Sequence, residues 1–530
     1  MIRRLFCHLI TVLSIMSYCC VKCHRFITSL RDHRMSFISV EFVVLFVSVL
    51  LLYFALPFRL RWILLFCSSY LFYGYWNANY LILLVFSSIV DYYAGWKIAT
   101  TDPANTSRRR MYLVLSIAIN LGTLGIFKYF NFFNDNIAAM FGLFGIPYAI
   151  SGLDVLLPVG ISFYTFQSMA YTIDVYRGDA KAEKHLGRFL TFISFFPQLV
   201  AGPIERAKDL LPQFSIEHKF DTARAIEGLQ LILWGAFKKM VIADRLALYV
   251  NAVYNSPRQY EGLPMLAAIY FFTIQIYCDF SGYSDIAVGT ARVLGFKLST
   301  NFRQPLNALN VRDFWTRWHI TLSYWFRDYV YVPLARLLRS SVYPRFNIDK
   351  KSVFATVLPS AVVFLLIGLW HGAAWTFVAW GGSQAILVGI ETWLDKRRKG
   401  KPMLLPSFAR WAVNYTLIAF SVVLFRSSSL GQAAYIYQNV LNFSDGTTRL
   451  FTPFNDAVLP PMIEFWLSIA LCVGLLITDY LIKQTNGEFV TVIQKLPRVP
   501  RWAVYYGLSA AIVFALFYTG LNQAFIYFQF

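Results

Sequence analysis

The hydrophobic residues of this chain form long uninterrupted stretches, unlike the short alternating runs typical of soluble domains. The clearest stretches span residues 40–56, 81–90, 111–126, 463–477 and 502–521. About 20 consecutive apolar residues in a helix cross the hydrocarbon core of a bilayer, which is roughly 30 Å thick. Together with shorter apolar runs, the pattern predicts an all-α polytopic membrane protein with about eleven transmembrane helices.

The pattern changes between residues 177 and 352, where apolar runs become short and are broken by charges, proline and glycine. Residues 195–206 and 278–285 are examples. Irregular backbone at membrane depth must be covered by protein or line a water-filled cavity, so we expect re-entrant and amphipathic helices here. Further spans are predicted after this part, at residues 353–370, 373–392, 408–425, 462–482 and 502–520.

Composition and charge agree with a membrane protein. Only 14% of the residues are charged and 57% are hydrophobic, whereas a soluble domain carries about 25% charged residues. The net charge of +20 comes from Lys and Arg clustered between apolar stretches, as in 108–110 and 395–401. This distribution is typical of cytoplasmic loops that face anionic lipid headgroups. No basic groove with stacking aromatics is apparent, so no nucleic-acid partner is expected.

The first 34 residues do not continue this pattern. Arg3 and Arg4 precede a modest apolar run that resembles a short signal sequence without a clean cleavage site. Cys20 to His24 match the haem-attachment pattern C-x-x-C-H, but no second axial ligand is evident. Met35 opens a fresh start directly before the first clear span. We therefore interpret residues 1–34 as a dispensable extension or a misassigned start, and 35–530 as a single membrane domain.

His371 is the strongest candidate for chemistry. It lies in the apolar segment 361–380, twenty residues beyond Lys351, which corresponds to a depth of about 30 Å along a helix. A titratable side chain is costly in hydrocarbon and usually faces a cavity, a partner or a pathway. Imidazole also suits proton transfer near neutral pH. The alternative is a histidine that hydrogen-bonds between helices for packing.

A second candidate is His319, in a segment that mixes aromatic and charged residues. Helical spacing there predicts an interfacial helix with Arg312, His319 and Ser323 near one face; an incidental histidine is the alternative. The other histidines lie in the doubtful extension or in charged loops, at positions 8, 24, 33, 185 and 218. Tyr164 and Gln167 place polar groups in a membrane segment, where helix–helix hydrogen bonds are an equally good explanation.

Two other kinds of catalytic site are not indicated. There is no His-x-x-x-His pattern and no Glu beside His371, so a metal site is not predicted. The Gly-x-Ser-x-Gly pattern of a nucleophilic serine is also absent.

Several motifs in order resemble one family. They are Phe-Pro-Gln-Leu-Val-Ala-Gly-Pro-Ile-Glu-Arg at 196–206, Asp-Phe-Ser-Gly-Tyr-Ser-Asp at 279–285, Arg-Asp-Phe-Trp-x-Arg-Trp-His-Ile-x-Leu-Ser at 312–323, Gly-Leu-Trp-His-Gly at 368–372 and the terminal Phe-Ile-Tyr-Phe-Gln-Phe at 525–530. From about residue 35 onward the chain resembles the bacterial membrane-bound O-acyltransferases, in particular the membrane component of alginate O-acetylation.

The resemblance implies a ring of helices around a central tunnel, with a cytosolic entrance for the acyl donor and an outer funnel for the acceptor. His371 matches the family's catalytic histidine and His319 the second motif position. Further candidates for substrate contact are Trp370, Trp318, Ser323, Tyr164, Gln167 and Asp285.

The implied activity is transfer of an acetyl group from cytosolic acetyl-CoA, a substrate rather than a cofactor, to a hydroxyl outside the bacterial cytoplasmic (inner) membrane. The product would be an O-acetylated exopolysaccharide, alginate-like, or a cell-wall glycan. A secreted or periplasmic acetyltransferase partner protein is expected. One alternative is a transporter or flippase with His371 in a proton relay; another is a scaffold whose histidines only pack.

Overall fold

The computed structural model describes residues 35–200, 202–399, 405–443, 449–516 and 525–526. Within these ranges the chain is helical and contains no strand. The extension 1–34, with its C-x-x-C-H pattern, lies outside the described residues, as do the last four residues of the terminal motif.

Helices cover most of the described chain before residue 260, and we number the α-helices in order. They are α1 Val40–Ala55, α2 Phe58–Gly74, α3 Tyr80–Thr100, α4 Thr106–Leu124, α5 Phe130–Leu143, α6 Ile161–Arg177, α7 Leu186–Ser194, α8 Ala207–Leu210, α9 Thr222–Ala236 and α10 Asp244–Asn255. Two π-helical turns join neighbouring helices without a break, Gly125–Tyr129 between α4 and α5, and Phe237–Ala243 between α9 and α10.

The remaining helices begin with the longest one. They are α11 Leu263–Leu294, α12 Val311–Trp315, α13 Ile320–Phe326, α14 Val332–Leu337, α15 Tyr343–Arg345, α16 Val353–His371, α17 Trp375–Arg398, α18 Ser407–Arg426, α19 Leu430–Asn439, α20 Pro461–Thr485, α21 Phe489–Gln494 and α22 Arg498–Phe514. Two more π-helical turns, Arg327–Tyr331 and Leu338–Val342, flank α14.

Six helical segments of the described chain are long and apolar enough to cross a membrane: Tyr80–Thr100, Thr106–Leu143, Leu263–Leu294, Val353–His371, Ser407–Arg426 and Pro461–Thr485. The prediction of an all-α polytopic membrane protein is therefore confirmed. The count of about eleven spans remains a prediction; in the described chain α1 is a further apolar helix, shorter than these six.

Helix α11 differs from the prediction for the middle third, which favoured only short pieces. It runs for 32 residues through Asp279 and Asp285, whose charges looked like interruptions in the sequence. The π-helical turn after α9 neutralises both carboxylates. Lys239 Nζ lies 2.6 Å from Asp279 Oδ1, and Lys238 Nζ lies 2.8 Å from Asp285 Oδ2. Buried charges persist when they are paired in this way.

Close contact between α9 and α11 brings these lysines within reach of the carboxylates. A Cβ added to Gly235 would lie 2.5 Å from the carbonyl oxygen of Gly282, and one added to Gly289 would lie 2.5 Å from that of Gly228. Small residues at helix interfaces allow backbones in membranes to approach one another. The four glycines therefore hold α9 against α11, and the lysines follow directly after α9.

The hairpin predicted around His371 is confirmed as α16 and α17. Its two helices also touch through glycine: a Cβ on Gly368 would lie 2.3 Å from the carbonyl oxygen of Phe377, and one on Gly381 would lie 2.2 Å from that of Phe364. No side chain separates the backbones at these points. The turn between the helices, where His371 lies, is therefore placed by direct backbone contact.

Candidate functional site

His371 is the last residue of α16. The chain leaves the helix at Gly372, whose backbone is extended (φ −157°, ψ 145°). The imidazole is 3% exposed. Rings of Trp370, Trp380 and Phe425 surround it, with centroids 5.0, 5.2 and 5.2 Å away. The side chain is thus held in an aromatic cage at the end of a membrane helix.

A lysine that the sequence analysis missed holds the same helix end. Lys128 Nζ donates to the carbonyl oxygens of Trp370 (2.6 Å) and His371 (3.2 Å), and lies 3.4 Å from Ser162 Oγ. The last carbonyls of a helix lack intrahelical partners and carry partial negative charge, so a cation is stabilising there. Lys128 belongs to the π-helical turn between α4 and α5, and such turns are frequent at functional sites.

Two cavities meet at His371. The first, here the Gln384 cavity, is lined by Trp318, Trp380, Gln384 and Phe425 among others. The second, the Lys128 cavity, is lined by Lys128, Trp370 and the segment 156–163 among others. Among the described residues that line either cavity, His371 alone lines both.

The Gln384 cavity is mostly apolar and carries one chain of hydrogen bonds. Gln384 Nε2 donates to Ser421 Oγ (2.9 Å), and Trp315 Nε1 donates to Gln384 Oε1 (3.3 Å). Its wall includes Trp380 and Gln384 of α17 and residues from Ile418 to Phe425 of α18. Few fixed polar groups therefore face this cavity.

The segment around His319 is not the continuous interfacial helix that the sequence predicted. It forms two short helices, α12 and α13, with His319 between them in the left-handed region (φ 42°, ψ 53°). The break turns His319 into the core, where it is 0% exposed, while Arg312 pairs with Glu391 and Asp395 near the surface. The expectation that Arg312 and His319 share a face was therefore wrong.

His319 lies beside the cavities rather than in their walls. Its ring contacts Phe280 (centroids 4.7 Å apart), Phe163 (6.1 Å) and Trp370 (5.9 Å), and the last two line the Lys128 cavity. The indole of Trp370 thus contacts both histidines. His319 is outside the six long apolar helices, and burial lowers its pKa to about 3, which favours the neutral imidazole.

The segment that contains both histidines is similar to known proteins. Residues 184–426, which include both histidines, match the model of the membrane-bound O-acyltransferase family. The protein named "Probable alginate O-acetylase AlgI" from Azotobacter vinelandii is 37% identical over 416 residues, 78% of this chain and 79% of its own length. The chain belongs to the membrane-bound O-acyltransferase family.

Two further relatives extend the comparison. The Pseudomonas aeruginosa (strain PAO1) protein of the same name is 36% identical over 84% of this chain and 80% of its own length. The peptidoglycan O-acetyltransferase of Helicobacter pylori (strain 26695) is 29% identical over 88% of this chain and 91% of its own length. The predicted resemblance is confirmed, and this membrane O-acyltransferase is an enzyme.

The other candidate residues of this O-acyltransferase fall into two groups. Trp370 and Trp318 line the Lys128 and Gln384 cavities respectively. The other four, Tyr164, Gln167, Ser323 and Asp285, lie outside the described walls of both cavities. The Gln167 amide donates to Phe192 O, and the Ser323 hydroxyl donates to Trp318 O. Asp285 pairs with Lys238. The structure therefore groups the two tryptophans with His371.

Removal of the Lys128 amine is expected to impair this enzyme without unfolding it. In Lys128→Met, the last carbonyls of α16 lose a hydrogen-bond donor, and the His371 ring loses its fixed position. Misplacement of a catalytic group by about 1 Å can cost on the order of 100-fold in rate. We expect acyl transfer per folded molecule to fall by about 10- to 100-fold, measured as ester formed in membranes that contain equal amounts of each variant.

Lys396→Met is the matched control for this experiment. Lys396 Nζ also donates to backbone carbonyls, those of Lys351 (2.6 Å) and Ser352 (2.9 Å), but at the opposite end of the same hairpin. Its removal should leave the rate within about twofold, because an exposed interaction of this kind contributes little. Equal rates in the two variants would contradict the assigned role of Lys128.

Proposed function

We propose that this enzyme transfers an acetyl group from cytosolic acetyl-CoA to a hydroxyl on the extracytoplasmic side of the bacterial cytoplasmic membrane. One observation carries the proposal: His371 lines two cavities whose other described lining residues are all different. A base at the junction of two cavities can meet a donor from one and an acceptor from the other. The two cavities together form the tunnel.

Loop charge supports the orientation of the cavities. Helix α17, which supplies Trp380 and Gln384 to the Gln384 cavity, ends with Arg397 and Arg398, as expected of the cytoplasmic side. The Lys128 cavity is walled by residues 156–163, and no Lys or Arg occurs from 129 to 176. The thioester therefore enters through the Gln384 cavity, where basic loops suit the phosphates of CoA, and the acceptor enters through the Lys128 cavity.

His371 acts as the general base in the proposed reaction. Its imidazole takes the proton of the acceptor hydroxyl while the hydroxyl oxygen attacks the thioester carbonyl carbon. The new C–O bond forms, the C–S bond breaks, and the proton passes to the departing thiolate, so that CoA leaves as a thiol. A positioned base contributes about 10²- to 10⁴-fold to such a step. His319, beside Trp370, positions the donor or polarises its carbonyl.

The proposed final acceptor is a polysaccharide. The named relatives are an alginate O-acetylase and a peptidoglycan O-acetyltransferase, and an alginate-like exopolysaccharide or a cell-wall glycan is the corresponding acceptor here. We further propose that a secreted or periplasmic acetyltransferase receives the acetyl group from the Lys128 cavity and passes it to the polymer.

The test uses membrane vesicles of the source bacterium, deleted for the chromosomal gene and supplied with the wild-type enzyme. Such membranes retain any partner protein. Acetyl-CoA labelled in the acetyl group is added on the cytosolic side, and two quantities are followed: release of the CoA thiol and base-labile label in polymer. We expect both to depend on the enzyme. If the CoA thiol is released but no label appears in polymer, the proposed acceptor is wrong. If neither the thiol nor labelled polymer is formed, the proposed donor is wrong.

A further inference from the structure

The hydrogen bonds around His319 determine which of its ring nitrogens carries the proton. The side-chain oxygen of Asn301 lies 3.1 Å from His319 Nδ1. The same oxygen accepts from the backbone N–H of Thr321 at 3.3 Å. A backbone N–H can only donate, so the atom that faces Nδ1 is the amide oxygen and not the amide nitrogen.

The hydroxyl of Thr321 leads to the same assignment. Its oxygen accepts from the backbone N–H of Ile204 at 3.1 Å, which leaves the hydroxyl proton to be donated to Asn301 Oδ1 at 2.9 Å. Asn301 Oδ1 is therefore an acceptor toward Thr321, and His319 Nδ1 must donate to it. In a neutral imidazole, Nε2 then carries the lone pair.

Asn301 is itself held in place. It is 2% exposed, its backbone oxygen accepts from Ile320 N at 2.9 Å, and its amide nitrogen lies 3.4 Å from Ser284 Oγ. These bonds also maintain the left-handed backbone of His319, a strained conformation for a non-glycine residue. Strain of this kind persists only where the surroundings fix it. Here the surroundings fix a histidine next to Trp370.

We propose that Asn301 is a positioning residue that fixes the Nδ1-protonated tautomer of His319, so that Nε2 carries the lone pair. This inference rests on the proposed function and narrows it. A lone pair at Nε2 cannot donate to a carbonyl oxygen, so His319 does not polarise the thioester and acts on the site through its place beside Trp370.

The experiment compares Asn301→Leu, which removes the acceptor, with Asn301→Asp, which keeps an oxygen acceptor at the same place. Loss of a residue that orients a reactive histidine typically costs about 10- to 100-fold. We expect Asn301→Leu to lower kcat/KM by at least about tenfold, and Asn301→Asp to restore most of the loss. Asn414→Leu is the control, because Asn414 is another buried asparagine, which donates to Ala308 O at 3.0 Å.

A second arm tests whether Asn301 acts through His319. When Asn301→Leu is added to His319→Ala, it should cause no further loss, since residues that act through one another are not additive.

Two results would overturn the inference. One is a wild-type value of kcat/KM in Asn301→Leu. The other is an equal loss of kcat/KM in Asn301→Leu and Asn301→Asp, which would show that the shape of the side chain, and not its hydrogen-bond acceptor, determines activity. Failure of the proposed function is distinct from both, because it would appear as an inactive wild-type enzyme with acetyl-CoA. Folding is checked for each variant by its thermal unfolding midpoint, and Asn301→Asp, nearly the same size as wild type, keeps the test decisive.

Discussion

His371→Ala is expected to abolish measurable acetyl transfer, with a fall of about 10²- to 10⁴-fold in rate per folded molecule. The imidazole lies where the two cavities meet, and no other described side chain lines both. Its removal deletes the proton acceptor from that position. His371→Gln should be equally inactive. Its side chain fills more of the aromatic cage than alanine does, but it has no basic nitrogen.

Matched variants separate this loss from a general loss of structure. His185 is an exposed histidine whose Nδ1 accepts from Arg188 N, and His185→Ala should retain wild-type activity. The measurement is base-labile label in polymer at equal amounts of enzyme in the membrane. Substantial acetyl transfer by His371→Gln would rule out general-base catalysis by this residue.

Lys239→Met is expected to have the largest effect on stability. Lys239 Nζ lies 2.7 Å from Asp244 Oδ1 and 2.6 Å from Asp279 Oδ1, and all three side chains are buried. The variant leaves two carboxylates in the core without their cation. Breaking a buried ion pair by removal of one partner costs about 3–5 kcal/mol, so most of the protein should fail to fold or should unfold at a clearly lower temperature.

The origin of this loss can be checked by compensation. Lys239→Met combined with Asp244→Asn and Asp279→Asn removes all three charges and should recover much of the thermal unfolding midpoint. Arg292→Met is the control, because Arg292 pairs with Glu488 (2.8 Å) in a more exposed position, where a salt bridge contributes about 0–1 kcal/mol. If Lys239→Met unfolds at the wild-type temperature, the buried network does not stabilise the fold.

Hydropathy predicted the parts of the fold that depend on local sequence alone. The hairpin of α16 and α17 begins at the predicted residue and places its turn where it was predicted; the membrane depth of His371 remains a prediction. Helix α11 could not be predicted in the same way. Its two aspartates are compatible with a membrane helix only because Lys238 and Lys239, about 40 residues earlier, neutralise them, and such a pairing is not encoded in any local window.

In the candidate site, too, local sequence revealed some residues, whereas the roles of others depend on contacts with distant parts of the chain. His371 was identified because an imidazole in an apolar stretch is unusual by itself. The orientation of His319 depends on hydrogen bonds to Asn301, which no helical pattern could reveal, so the assumption of a regular helix placed Arg312 on the wrong side. Lys128 had a signal that was overlooked: it is a lone cation in the apolar run from 111 to 133.

The glycine contacts between α16 and α17 have a consequence for how this enzyme can evolve. Backbone against backbone leaves little room for the histidine-bearing turn to shift when side chains elsewhere are replaced. The wall of the Lys128 cavity, by contrast, includes residues 156–160, which lie in a non-helical connection between α5 and α6, and connections of this kind tolerate substitution well. Under the proposed function, substitutions in this connection can change which acceptor the Lys128 cavity admits while the position of His371 stays the same.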